Sequence, residues 1–172
     1  TSDAEFVVNT SLYPTNTLPM SKLTAGREVP SLPRLLRPLG YESVTLHTNE
    51  VEFWSRDAMY PALGFDRYYD KAYFGEEDVI MFGASDEVLY RKAMPVFEEI
   101  KSRGFSVYAH LIAMSSHNPF DLPPDKPTLR LPREWENTLF GKYIQACHYA
   151  DYALGTFIEE LKARGWWDDA MI

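Results

Sequence analysis

Residues 105–114, FSVYAHLIAM, form a near-continuous apolar run closed by Gly104 on one side and by SSHNP on the other. Such a run, bounded by turn residues, predicts a strand buried on both faces, as strands in parallel sheets are. Helices must then cover both faces of the sheet that holds it. The surrounding chain supplies them. SDEVLYRKAMPVFEEIKSRG predicts a helix capped by Ser85, with Asp86 and Glu87 at its positive end and Lys101 and Arg103 at its negative end. Gly104 ends it, and Pro95 predicts a kink. Beyond a Pro-rich loop, DLPPDKPTLRLP, the longest helix is expected over LFGKYIQACHYADYALGTFIEELKARG. Its inward stripe is expected at Tyr143, Cys147, Ala150, Leu154, Phe157 or Ile158, and Leu161.

ESVTLHT predicts a second strand with Val44 and Leu46 on one face, and AMI predicts the start of a third. A short helix is expected in SLPRLLRPLGYES, with Ser31 as N-cap, Leu32, Leu35, Leu36 and Leu39 as its buried stripe and Gly40 as its stop. Another is expected over SRDAMYPALG, kept short by Pro61. The first thirty residues read as extended or irregular chain after an opening turn, and FDRYYDKAYF reads as a packed loop. Strand, helix, strand, helix, strand is an α/β pattern: a mostly parallel sheet flanked by helices. The length, 172 residues, suits one domain. The opening threonine and the closing WWDDAMI read as cut edges, so residues 1–172 are expected to be a single partial domain, truncated at both ends.

Composition removes several functions. A formal charge of −8 opposes wholesale nucleic-acid binding, which needs a basic surface. The single cysteine, Cys147, forms no internal disulfide and no zinc-holding cluster. No apolar run approaches the roughly 20 residues of a membrane span.

Sites in parallel sheets gather at the carboxyl ends of strands. His47 ends the strand ESVTLH, and His117 follows FSVYAHLIAM in the polar loop SSHNPF. FWSRD adds Trp54 and Arg56, a planar fork suited to phosphate or sulfate beside a ring that can stack on an alcohol or sugar. The plainer readings are histidines bonding backbone carbonyls, an arginine paired with Asp57 or Asp66, and a core tryptophan. His110, His148 and Cys147 read as structural. Thr1 is either a nucleophile activated by its own α-amino group or an interior threonine of a longer chain.

Taken together, TSDAEF, NTSLYPT, SLPRLL–GY, FWSRDAMY–LGFDRYYD, SSHNPF and YIQACHYADYALGTFIEELKARGWWDDAMI resemble lipoteichoic acid synthases. More broadly, they resemble phosphoglycerol transferases of the sulfatase and alkaline-phosphatase superfamily. The resemblance implies a sulfatase-like fold, with Thr1 as an internal catalytic threonine and metal ligand. It implies that Trp54 and Arg56 hold a glycerol phosphate head group with His47 and His117 beside it. It also implies one divalent cation, Mn²⁺ or Mg²⁺, whose other ligands lie before residue 1 and after Ile172. The expected donor is a phospholipid head group and the acceptor a glycerophosphate polymer or glycan. The full-length protein is then membrane-tethered, at the extracytoplasmic face of the bacterial cell membrane. Asn49 stands where some relatives carry an acid. Two other readings are a hydrolytic sulfatase or phosphodiesterase and a non-catalytic glycerophosphate-binding domain. The formylglycine motif C/S-x-P-x-R of typical sulfatases is absent, and joint retention of Thr1, Arg56 and His117 opposes decay to a binding domain.

Overall fold

The computed structural model describes residues 2–15, 17–126 and 128–172. Its elements, in chain order, are α1 (Ser2–Thr10), α2 (Met20–Leu23), α3 (Leu32–Leu36), β1 (Tyr41–His47), α4 (Arg56–Leu63), β2 (Arg67–Tyr69), α5 (Lys71–Phe74), β3 (Val79–Ile80), β4 (Gly83–Ala84), α6 (Asp86–Ser102), β5 (Ser106–Ile112) and α7 (Leu139–Ala163). Three strands form a sheet in the order β2–β1–β5, with β1 parallel to both neighbours. β3 and β4 make a separate antiparallel pair.

The central strand β1 is buried from Glu42 to His47 and divides its side chains between two cores. Val44 and Leu46 join Val88, Leu89, Met94, Phe97 and Ile100 of α6 and Phe157 and Leu161 of α7. On β5, Val107, Ala109 and Leu111 pack against this same cluster, whereas Tyr108 packs against a second one. That second core holds Phe6 of α1, Met20 of α2, and Met59, Tyr60 and Leu63 of α4. The period of two along the strands thus separates an α6/α7 layer from an α1/α2/α4 layer. Ser43, Thr45 and His47 point away from Val44 and Leu46, toward the α1/α4 side.

Several sequence expectations are corrected. The opening segment is helical: α1 buries Ser2, Glu5, Phe6 and Asn9, spaced as one helix face. Three of those four, Ser2, Glu5 and Asn9, carry polar groups that bond inside the protein, so no apolar periodicity shows. α3 is capped by Ser31 as predicted, and Gly40 closes the following 3₁₀ turn in the left-handed conformation. The leucine stripe is not buried, since Leu35 is 67% exposed and Leu32 and Leu39 are also exposed. Five α-helical residues followed by a 3₁₀ turn rotate the leucines off any common face, and Pro33 is buried instead.

FDRYYDKAYF contains β2 and α5 rather than a loop. α6 runs unbroken through Pro95. α7 buries Ala146, Tyr149, Ala153, Phe157 and Leu161, about one residue out of phase with the predicted stripe. Tyr143 and Cys147 are therefore exposed, and Cys147 is not a core residue. β5 is half-buried, because among the described residues it pairs only with β1 and forms a sheet edge. AMI forms no strand. Nothing among the described residues pairs with it, and Met171 is fully exposed.

Candidate functional site

His47 is the last residue of β1, in register with Ile112 at the end of β5. Because the strands are parallel, both ends lie on one edge of the sheet. The loop after β5 brings His117 back to that edge, where its ring stacks on that of His47 with centroids 6.4 Å apart. Each imidazole is oriented in the same way. His47 Nδ1–H donates to the carbonyl of Ile112 at 2.9 Å, and His117 Nδ1–H donates to the carbonyl of Met114 at 2.9 Å. Each Nε2 is left without a protein partner among the described residues. Burial, reinforced by the nearby Arg56 charge, lowers the His47 pKa to about 4. His47 is neutral near pH 7, with a lone pair on Nε2 that accepts a hydrogen bond.

The His117 loop is held from below by a residue whose place in the sequence marks it only as a favourable helix-end charge. Asp86, fully buried at the start of α6, accepts the backbone N–H of Met114 at 2.7 Å and of Ser115 at 3.1 Å. Its other oxygen accepts the Ser115 hydroxyl. Met114 in turn carries the carbonyl that fixes His117.

Arg56 opens α4 and is 3% exposed. Trp54 and Ser55, just before it, both adopt left-handed backbone angles, with φ of 68° and 54°. Such geometry costs about 1–3 kcal/mol per residue. It turns Arg56 inward while Trp54 remains 47% exposed against Phe53. Arg56 is not paired with Asp57 or Asp66. Its Nε donates to both oxygens of Glu5, at 2.9 and 3.2 Å, and Nη2 donates to Oε1 at 2.6 Å. Nη1 donates to the carbonyl of Phe53 at 3.2 Å. Of five N–H donors, one on each terminal nitrogen is left without a protein acceptor among the described residues. The Tyr60 hydroxyl donates to Glu5 Oε2 at 2.9 Å, and burial followed by the Glu5 charge keeps its pKa raised.

α1 is fixed to the sheet by Asn9, whose Oδ1 accepts from the Tyr108 hydroxyl at 2.9 Å while its amide nitrogen donates within the helix to the Glu5 carbonyl at 2.8 Å. Asn9 also lies 3.2 Å from His110 Nδ1, which fits a structural role for that histidine. Asn49 caps its own turn, Oδ1 accepting the N–H of Glu50 at 2.8 Å.

His47, His117 and Arg56 therefore share one neighbourhood, with Glu5 as a member that pattern reading missed. Trp54 contacts Phe53 at its margin, and Thr1 lies outside the described residues. A concavity of about 560 Å³ borders the cluster, lined by Asn49, Glu50, Phe53, Lys71 and the β3–β4 turn, but not by the histidines, Trp54 or Arg56. Gly83 of that turn sits so close to Thr48 that a Cβ would meet its carbonyl oxygen at 2.2 Å. Among the described residues no group of three or more His, Cys, Asp or Glu could hold a metal ion. The Glu5 carboxylate is occupied by Arg56 and Tyr60, and the guanidinium repels a cation. These residues do not fit a divalent metal; they fit an anion. No helix among them is long and apolar enough to cross a membrane.

A sulfatase family model matches residues 1–172. The chain is 32% identical to lipoteichoic acid synthase 2 of Bacillus subtilis over its whole length, and spans 26% of that protein. It is also similar to the crystal structure of the lipoteichoic acid synthase LtaP from Listeria monocytogenes. The TM-score is 0.93 at 48% identity, covering 98% of this chain and 41% of the other. The Streptococcus pyogenes phosphoglycerol transferase GacH, solved in complex with sn-glycerol-1-phosphate, has the same fold. Its TM-score is 0.69 at 16% identity, covering 93% of this chain and 44% of the other.

Proposed function

The chain belongs to the sulfatase family, and from that premise we propose that it is the anion-binding part of the catalytic domain of a phosphoglycerol transferase. The carrying observation is the pairing of a buried, pre-oriented Arg56 with two imidazoles whose Nε2 atoms are unpartnered among the described residues. Arg56 offers its two remaining N–H groups to a phosphate. His47, neutral and accepting, suits a hydroxyl of the glycerol moiety rather than a phosphate oxygen. His117 contacts the oxygens of the substrate or the leaving group. Trp54, exposed beside them, offers a face for stacking.

In the proposed reaction the Thr1 oxygen bonds to phosphorus as the bond from phosphorus to the lipid alcohol breaks, and the threonine proton ends on the departing alcohol. A hydroxyl of a glycerophosphate polymer or glycan then bonds to phosphorus, the bond from phosphorus to the Thr1 oxygen breaks, and the acceptor's proton returns to the threonine. Arg56 stabilises the nonbridging oxygens throughout. The family resemblance implies one divalent cation, Mn²⁺ or Mg²⁺, and since the described residues do not fit it, its ligands would be other residues. The full-length protein acts at the extracytoplasmic face of the bacterial membrane, where its lipid donor is.

Intact-protein mass spectrometry of the full-length protein given phosphatidylglycerol tests this reading. A glycerophosphoryl adduct is expected on wild type and absent from Thr1→Ala. In Arg56→Lys it should form at least about 100-fold more slowly, since an ammonium cannot reproduce the fork. An adduct on Thr1→Ala at the normal rate would place the nucleophile elsewhere.

A further inference from the structure

Glu5 accepts four hydrogen bonds inside the protein and is 5% exposed. A carboxylate so placed beside the proposed phosphate ligand is unexpected, because it opposes any anion that Arg56 attracts. Its position is fixed: α1 is latched by Asn9, and Tyr60 holds the second oxygen. Glu5 and Arg56 together carry no net charge.

We propose that Glu5 sets the charge selectivity of the site, favouring singly charged phosphodiesters over doubly charged phosphomonoesters. This rests on the reading of Arg56 as the head-group ligand and deepens it. Attraction to an isolated guanidinium grows with each charge on the ligand. With Glu5 fixed on the opposite edge, repulsion grows in step, so a second negative charge gains little. A diester keeps one charge and can still accept both free N–H groups. A monoester carries about −1.5 to −2 at pH 7 and must desolvate the additional charge without compensation. A transferase acting on a lipid diester needs this discrimination, since free phosphate and phosphomonoesters would otherwise occupy the site.

The test is calorimetric titration of the full-length protein with glycerophosphoglycerol, a diester, and sn-glycerol 1-phosphate, a monoester. Glu5→Gln keeps the shape and removes the charge. Its ratio of monoester to diester affinity should rise about tenfold or more relative to wild type. Glu5→Asp, which keeps the charge, should leave the ratio within about twofold of wild type while weakening both ligands. A purely structural role would change both affinities together and leave the ratio alone. An unmoved ratio in a folded Glu5→Gln protein therefore overturns the proposal while the reading of Arg56 stands. Wild type binding neither ligand would overturn the Arg56 reading and this proposal with it. Should Glu5→Gln fail to fold, a crystal structure of wild type with glycerophosphoglycerol decides. Phosphate oxygens on Nη1 and Nη2 with Glu5 still on Nε support the proposal, and a phosphate that displaces Glu5 overturns it.

Discussion

His47 shows how one residue takes its chemistry from its position. At the end of a buried strand its Nδ1–H is tied to the Ile112 carbonyl, and burial with the Arg56 charge makes protonation unfavourable. Its pKa in the folded chain, about 4, lies below the ordinary 6.5. The unfolded state therefore binds the proton first as pH falls. The stabilising contribution is complete above pH 6.5 and is lost as pH approaches 4. From that interval it amounts to about 3 kcal/mol when fully lost. His110, also lowered mainly by burial, acts in the same direction. Urea unfolding of wild type and His47→Gln at pH 7 and pH 4.5 checks the contribution. The loss between the two pH values should be smaller in His47→Gln by about 2–3 kcal/mol. Equal losses in both proteins would mean that His47 is not held neutral.

Between elements, the joint that matters is α6 against the end of β5. Asp86 accepts two backbone N–H groups and a hydroxyl at that joint, and Met114 beyond it anchors His117. Asp86→Ala leaves those donors unsatisfied in a buried place. It should cost about 3 kcal/mol in urea unfolding and weaken sn-glycerol 1-phosphate binding by freeing His117. Destabilisation with unchanged affinity would show that the joint does not position the histidine. Joints of this kind mark the boundary of what was legible in the sequence. The parallel sheet could be read because Val44, Leu46 and the run 105–114 are apolar at strand spacing. The placement of His47 and His117 at one sheet edge could be read because His47 ends a strand and His117 lies in the loop that follows one. α1 could not, since Glu5 and Asn9 on its buried face look like solvent residues until their partners are known. Glu5 and Arg56 are far apart in sequence, and no spacing rule joins them. On α7, Tyr143–Cys147–Ala150–Leu154 and Ala146–Tyr149–Ala153–Phe157 are comparably apolar stripes. The second is buried because its small alanines admit close packing while the Tyr149 hydroxyl reaches Glu87 at 3.1 Å.

For the whole molecule, the described residues build a sheet covered on both faces and the edge proposed to bind the phosphate, but not a metal centre. A Mn²⁺ or Mg²⁺ ion prefers about six oxygen or imidazole ligands in fixed geometry. No cluster among the described residues supplies three. Glu5, the carboxylate that shares the site, is held by Arg56 and Tyr60, and releasing it would leave a guanidinium buried without its partner. The two histidines offer one Nε2 each, beside that same positive charge. The hydroxyl of Thr1, outside the described residues, is as a neutral alcohol a weak ligand. The 172-residue chain should therefore bind Mn²⁺ no more tightly than about 10⁻⁴ M, by analogy with the weak end of the range that ligand number and rigidity set in oxygen-ligand calcium sites. The curated relative from Bacillus subtilis is about four times as long as this chain, which spans 26% of it. In the full-length protein, binding should be at least about tenfold tighter, because more ligands in fixed positions raise affinity steeply. Titration calorimetry with Mn²⁺ on both proteins, at equal pH and salt, measures the difference. Micromolar binding by the 172-residue chain would put the metal centre among these residues, and would require Glu5 or the histidines to leave the contacts described above.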